Sequence, residues 1–308
     1  MKKILIASTA LVLTAGFAAA DAPTLSGSAR MGVVYNGTDA EFSSRVRMVG
    51  TAAGTTDGGL SFGASMRFDQ NGGNSVSTFT LPGPDGIFGT GDDVDTTIGN
   101  TGTTNGDSTV FLSGSFGKIT MGDVAGGAAD YLVGQVAGVG YTGNGDLNEI
   151  GFNGGSATAV RYEYSTGPIT FALGLGQTTA ADNAMSAAAK FAAADDKFTI
   201  AVGYSSTTAA TQIDAKGTAK LGAATIAVRV ASNDNPANAN DLAVALSVSG
   251  TFAGVGVTAF ASQNRDFQNT DAFGVGASYD LGGGASVLGG VSDDGTNTVA
   301  DLGVSFSF

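Results

Sequence analysis

Apolar and polar residues alternate with a period of two along most of this chain. From Thr24 to Tyr35, Leu25, Gly27, Ala29, Met31, Val33 and Tyr35 fall on one side, and Thr24, Ser26, Ser28 and Arg30 on the other. Successive side chains of a strand point to opposite faces, so this pattern predicts a strand with one apolar and one polar face. Phe42, Val46 and Met48 oppose Ser43, Arg45 and Arg47; Leu60, Phe62, Ala64, Met66 and Phe68 oppose Ser61, Ser65 and Arg67. The split returns in Val160, Tyr162, Tyr164 against Arg161, Glu163, in Ile226, Val228, Val230 against Arg229, and in Phe273, Val275, Ala277, Tyr279 against Ser278, Asp280. About sixteen such segments can be counted, each near the ~10 residues that a tilted membrane strand needs.

The links between segments are uneven in a regular way. Short ones at Gly54 to Gly58, Phe116-Gly117, Thr166-Gly167, Asp195-Asp196, Gly222-Ala223, Ala253-Gly254 and Gly282 to Gly284 alternate with generally longer ones such as Gln70 to Asp107 and Val124 to Ala157. Tight turns at one rim and loops at the other are the anatomy of an outer-membrane barrel, with both termini on the short-turn side. The final segment, Val299 to Phe308, alternates strictly and closes on a phenylalanine, as expected of the last strand of such a barrel. Tyr35, Phe68, Tyr164, Tyr204, Tyr279 and Phe308 stand toward strand ends, where interfacial aromatic girdles are expected.

The placement of charge separates this pattern from a soluble sandwich, whose polar face meets water on the outside. Arg30, Arg45, Arg47, Arg67, Lys118, Arg161, Lys190, Lys197, Lys216, Lys220 and Arg229 share the parity of the small polar residues, and Arg265 falls in a loop. A lipid-facing Lys or Arg at mid-depth costs about 2–4 kcal/mol, so a face without such charges is expected to meet hydrocarbon. The polar face then lines a lumen too wide for side chains to fill.

Composition narrows the classes further. The chain has no Cys and no His, which removes disulfide scaffolds, thiolate metal sites and the most frequent catalytic bases. A formal net charge of -13 argues against nucleic acid as a partner. Met1-Lys2-Lys3, the apolar stretch Ile4 to Phe17 and Ala18-Ala19-Ala20 read as a secretory signal over residues 1–20, leaving 21–308 as a single barrel domain.

The runs LSGSARMGVVYNG from Leu25, FSSRVR from Phe42, GTTDGGLSFGASMRF from Gly54, TVFLSGSFGKITMGD from Thr109, FGVGASYDLGGGASVLGGVSDD from Phe273 and VADLGVSFSF from Val299 resemble the Rhodobacter-type general diffusion porins of alphaproteobacteria. That resemblance implies a sixteen-stranded antiparallel transmembrane β-barrel in the outer membrane of a Gram-negative bacterium, assembled as a homotrimer. It also implies a third loop folded into the lumen, and passive diffusion of small hydrophilic solutes and ions through a charged constriction. By motif, Arg30, Arg45 and Arg47 match the family's wall arginines, and Arg67 stands where the family carries a basic residue. The facing acids would come from the loop Val124 to Ala157, which supplies Asp130, Asp146 and Glu149.

The link Gln70 to Asp107 departs from the pattern. Asp85, Asp92, Asp93 and Asp95 offer hard oxygen ligands on a Gly-rich turn, which suits a structural Ca²⁺; a latch over a neighbouring subunit is the alternative role. No cofactor is required by the transport reading. A substrate-specific channel would need a ladder of lumen aromatics, and few inward ones are visible, Phe111 and Phe260 among them. A surface adhesin or β-solenoid would show a fixed short repeat, which is absent, and a barrel enzyme would need a base other than His.

Overall fold

The computed structural model describes residues 22–72, 75–81, 94–100, 104–124, 127–153, 158–176, 183–193 and 196–308. In chain order the strands are β1 (Thr24–Tyr35), β2 (Ala40–Thr55), β3 (Ser61–Gly72), β4 (Ser75–Leu81), β5 (Val94–Asn100), β6 (Thr104–Gly114) and β7 (Gly117–Asp123). After α1 (Gly127–Val133) and a 3₁₀ turn at Asn144–Asp146 come β8 (Thr158–Thr166), β9 (Ile169–Leu175), β10 (Met185–Ala192), β11 (Phe198–Ser206), β12 (Thr211–Leu221) and β13 (Ala224–Asn233). The chain ends with β14 (Leu242–Phe252), β15 (Val255–Gln263), β16 (Ala272–Gly282), β17 (Ala285–Asp293) and β18 (Thr298–Ser307).

Every strand except β4 and β5 belongs to one closed antiparallel barrel of sixteen strands, in which each pairs with its barrel neighbour and β18 returns to β1. Closure is completed by the last residue: Gly27 N–H donates to the Phe308 carbonyl at 2.7 Å, and Phe308 N–H to the Gly27 carbonyl at 3.0 Å. A closed sheet leaves no unpaired edge, which is the condition for strands to cross hydrocarbon. β4 and β5 form a separate two-stranded sheet. The sequence pattern treated 70–107 as one link; instead β3 runs on to Gly72 and β6 begins at Thr104. The export-signal expectation falls on residues 1–20, outside those described.

The tight turns match the short links read from sequence. Between β14 and β15, Ala253 and Gly254 have φ of 51° and 83°, and positive φ at both central residues is what a two-residue hairpin turn needs. β2–β3, β6–β7, β8–β9, β10–β11, β12–β13 and β16–β17 turn on the same rim, and the longer connections lie on the other.

Packing is inverted relative to a water-soluble protein. Leu25, Met31, Phe42, Met66, Phe171, Ile200, Phe273 and Leu302 are exposed, Phe42 to 92%. The inward positions are small or polar, and Ser205, Gln212, Asp214, Arg229, Ser247 and Ser292 are buried. An outward apolar surface this continuous is stable only against lipid. Tyr35, Phe68, Tyr164, Tyr204, Tyr279 and Phe308 are all exposed on that outer surface.

The apolar cores lie inside the barrel, under the link between β7 and β8. Val136 and Ile150 of that link pack with Ala227, Ala231, Ala243, Ala245 and Phe267. Ala128 and Leu132 of α1 pack with Ala172 and Ala188, which are lumen-facing positions of β9 and β10. The third loop is therefore folded into the lumen.

Candidate constriction site

Alternation on β1, β2 and β3 turns Arg30, Arg45, Arg47 and Arg67 to the lumen, and register fixes their spacing. Arg30 is directly opposite Arg45, and Arg47 directly opposite Asp69. Asp69 is gripped from both sides: Arg47 Nε–H donates to Oδ1 at 2.8 Å and Nη2–H to Oδ2 at 3.1 Å, and Arg67 Nε lies 3.1 Å from Oδ2. Such fork-shaped pairing fixes orientation as well as charge. The charges that act on Arg45 are Arg30, Arg47 and Arg67 and, among the described residues, one carboxylate, Asp69. Asp69 escaped the sequence reading because it stands one residue before the assumed loop start, although its parity matches that of Arg67.

The loop meets this wall through Tyr141. Arg30 Nη1–H donates to the Tyr141 carbonyl at 3.0 Å, and the guanidinium carbon lies 5.7 Å from the ring centre. Tyr141 itself is held by Asp301 of β18, whose Oδ1 accepts from Tyr141 N–H at 3.1 Å and whose Oδ2 accepts from Thr142 N–H at 2.7 Å. An ionised carboxylate receiving backbone N–H groups is a strong anchor in a low-dielectric site.

The rest of the loop is fastened to the wall from β8 round to β18. Ala128 N–H donates to Ser186 Oγ at 2.8 Å, Ala137 N–H to Ser247 Oγ at 3.1 Å, and Ser262 Oγ–H to the Leu147 carbonyl at 2.7 Å. Its two arms are tied to each other: Gln135 Nε2–H donates to the Ile150 carbonyl at 2.9 Å and Asn148 Nδ2–H to the Val136 carbonyl at 2.7 Å. Strand glycines let the backbones approach. A Cβ on Gly290 would stand 2.6 Å from Gly140 N, and one on Gly203 2.9 Å from Ala129 Cβ, so close approach explains glycine there.

Beneath the loop lies a second charged cluster that the sequence did not single out. Arg229 and Asp214 are both 0% exposed and paired at 2.6 Å from Nη2 to Oδ1. Arg229 Nη1–H also donates to the Ile150 carbonyl at 2.6 Å and to Gln135 Oε1, and its guanidinium stacks 3.6 Å from the Phe152 ring centre. Lys216 Nζ–H donates to the Gln135 carbonyl at 2.6 Å, and Gln212 Nε2–H to the Gly151 carbonyl at 2.8 Å. Lumen parity of Asp214, Lys216 and Arg229 on two adjoining strands was the available signal.

Two of the loop acids, Asp130 and Glu149, act with this second cluster. The basic groups acting on Asp130 are Arg229 and Arg161, and on Glu149, Arg229. Burial raises both carboxyls above their ordinary range; Asp146 and Asp130 add to the rise at Glu149, and the arginines oppose it. Asp146 closes the 3₁₀ turn and its N–H donates to the Gly143 carbonyl at 2.9 Å. Arg161 lies over the Tyr131 ring at 3.7 Å, with Glu163 3.9 Å from its Nε.

Of the inward aromatics, Phe260 is covered by Val139 and Leu147 of the loop, and Phe111 lies under Lys118 Nζ at 4.8 Å. They do not form a ladder along the lumen. Of the calcium candidates, Asp85, Asp92 and Asp93 lie outside the described residues and Asp95 falls on β5.

Residues 7–298 match the family model described as Gram-negative porin. A curated porin from Rhodobacter capsulatus is 35% identical over 331 aligned positions, covering 92% of this chain and 99% of that one. A porin structure refined at 1.8 Å is 33% identical with a TM-score of 0.67, covering 93% of this chain and all of its own. A variant of Rh. blastica porin, 22% identical over 93% of this chain and 100% of its own, shares the fold with a TM-score of 0.72.

Proposed function

This chain belongs to the Gram-negative porin family, and on that premise we propose passive diffusion of small hydrophilic solutes and ions through a narrowed, charge-lined lumen. The family makes it an integral outer-membrane β-barrel of a Gram-negative bacterium, a transport protein and not a catalyst. In the proposal the loop between β7 and β8 sets the width of the pore. Arg30, Arg45, Arg47 and Arg67 form one side of the narrowing, and the loop carrying Asp130, Asp146 and Glu149 forms the other.

The observation that carries this reading is the fastening of the loop to one arc of the inner wall through Ser186, Ser247, Ser262 and Asp301. A loop held on that arc narrows the lumen while the arginines of β1 to β3 keep partial exposure, Arg47 and Arg67 at 30% and 27% of their side chains. Homotrimer assembly is part of the proposal. An apolar groove of about 710 Å³ on the outer surface, lined by Leu25, Gly50, Ala52, Ala64, Met66 and Val110, offers small residues against which a neighbouring barrel can pack.

Single-channel recording of the refolded protein in a planar bilayer tests this. Large ohmic steps arriving in threes are expected. Barrels that insert, judged by heat-modifiable mobility, yet carry no current would overturn the proposal.

A further inference from the structure

We propose that the narrowing selects anions, and that Arg30 and Arg45 form a transit site for small oxyanions such as inorganic phosphate and short carboxylates. This rests on the pore reading above and adds the class of solute. Directly opposed residues on antiparallel strands hold their Cβ atoms about 4.5–5.5 Å apart, so the Arg30–Arg45 register starts two like-charged side chains from neighbouring points on the lumen face. Like charges so placed repel, and an oxygen-rich anion between them relieves that repulsion. The guanidinium fork matches the paired oxygens of phosphate and carboxylate, a fit that chloride lacks.

Among the described residues, the one carboxylate acting on Arg45 is already shared with two other arginines. Asp69 is engaged with Arg47 and Arg67. What the loop presents to Arg30 is the carbonyl and ring of Tyr141, not a carboxylate. Asp130 and Glu149 act with Arg229 and Arg161. The acidic balance of the chain, -13 overall, is carried in part by the connections on the long-loop rim, at Asp39, Asp234, Asp241, Asp266, Asp271 and Asp294. Charges at a rim are screened over a Debye length of about 3 Å in 1 M salt, whereas groups touching the permeating ion are not.

The test is the zero-current potential of the protein in a planar bilayer under a KCl gradient, followed by addition of sodium phosphate or sodium succinate to one side. A chloride-selective sign, with brief interruptions of the chloride current by either oxyanion, is expected; interruption by one alone supports the site for that class. Arg45→Gln is expected to weaken the interruption by about tenfold, the loss of a charge-assisted pair, and to move the potential toward potassium. Arg45→Lys, which keeps the charge without the fork, should retain the sign and weaken the interruption by less than Arg45→Gln does. A potassium-selective sign, or a current indifferent to both oxyanions, overturns this inference and leaves the pore intact. No current at all removes the pore reading and this inference with it.

Discussion

Arg45 and Arg229 occupy equivalent places in the strand pattern, each facing the lumen from within a strand, yet the two walls use them oppositely. On β13 the loop covers Arg229, and Asp214, Gln135, the Ile150 carbonyl and Phe152 engage its two Nη groups and its face. On β2 the loop makes contact through Tyr141, and among the described residues the charges acting on Arg45 are three arginines and Asp69. One wall holds a neutralised, dry cation that fixes the loop. The other keeps a wet, positive surface beside the path of the solute. Strand parity decides which way a charge points, whereas the loop that comes to rest above it decides whether that charge is structure or selectivity.

Asp214→Ala should be the most damaging single change. It leaves Arg229 buried without its carboxylate and is expected to destabilise the barrel by about 3–5 kcal/mol. Asp69→Ala, whose arginine partners keep 30% and 27% exposure, should cost less, about 1.5–3 kcal/mol, the worth of a hydrogen bond to a charged group. Urea midpoints for loss of the compact, heat-modifiable species measure both. Equal costs would mean that the walls do not differ in burial.

Gly290→Ala probes the loop seat without touching charge. Its new Cβ would press on Gly140 backbone, and overpacking of this kind costs about 1–3 kcal/mol. Noisier open-channel current and a lower urea midpoint are expected; an unchanged channel would show that the loop does not rest there. Arg45→Ala should act in the reverse direction. Removing one of two directly opposed like charges is expected to raise stability by about 0.2–1 kcal/mol, and a destabilised variant would show that Arg45 has a structural partner after all.

The smallest effect is expected from pH. Asp130 and Glu149 are held above the ordinary carboxylate range, chiefly by burial. A carboxyl whose folded pKa is raised binds its proton more readily in the folded state, so its contribution is full below the ordinary value near pH ~4 and is lost as pH rises through the raised one. Loop-derived current noise should therefore be least near pH ~4 and grow toward neutrality. A flat or inverted trend would contradict the burial of these two acids under the loop.

The barrel was legible because a hydrocarbon solvent writes itself into every second residue. Leu25, Met31, Phe42 and Phe273 could sit outside only in lipid, and the turn residues Ala253-Gly254 and Thr166-Gly167 marked one rim. The four arginines were legible for the same reason. Asp69, Asp214, Tyr141 and Asp301 were not, because their roles depend on contacts between residues as far apart as 141 and 301, which no local period encodes. The strand glycines were ambiguous in sequence for a related reason. A strand glycine permits either bending or close approach of a packed loop, and only the loop backbone set against Gly290 and Gly203 selects the second.

The absence of cysteine from the chain makes thiol accessibility the most direct test of the two-wall account. Arg45→Cys, on the open wall, and Ala231→Cys, packed against Val136 and Ile150 under the loop, are each exposed to a charged methanethiosulfonate reagent during single-channel recording. A prompt, permanent drop in conductance at position 45 with no response at 231 is the expected result. Equal reaction at both positions would show that the loop does not cover the β13 wall and would contradict the account.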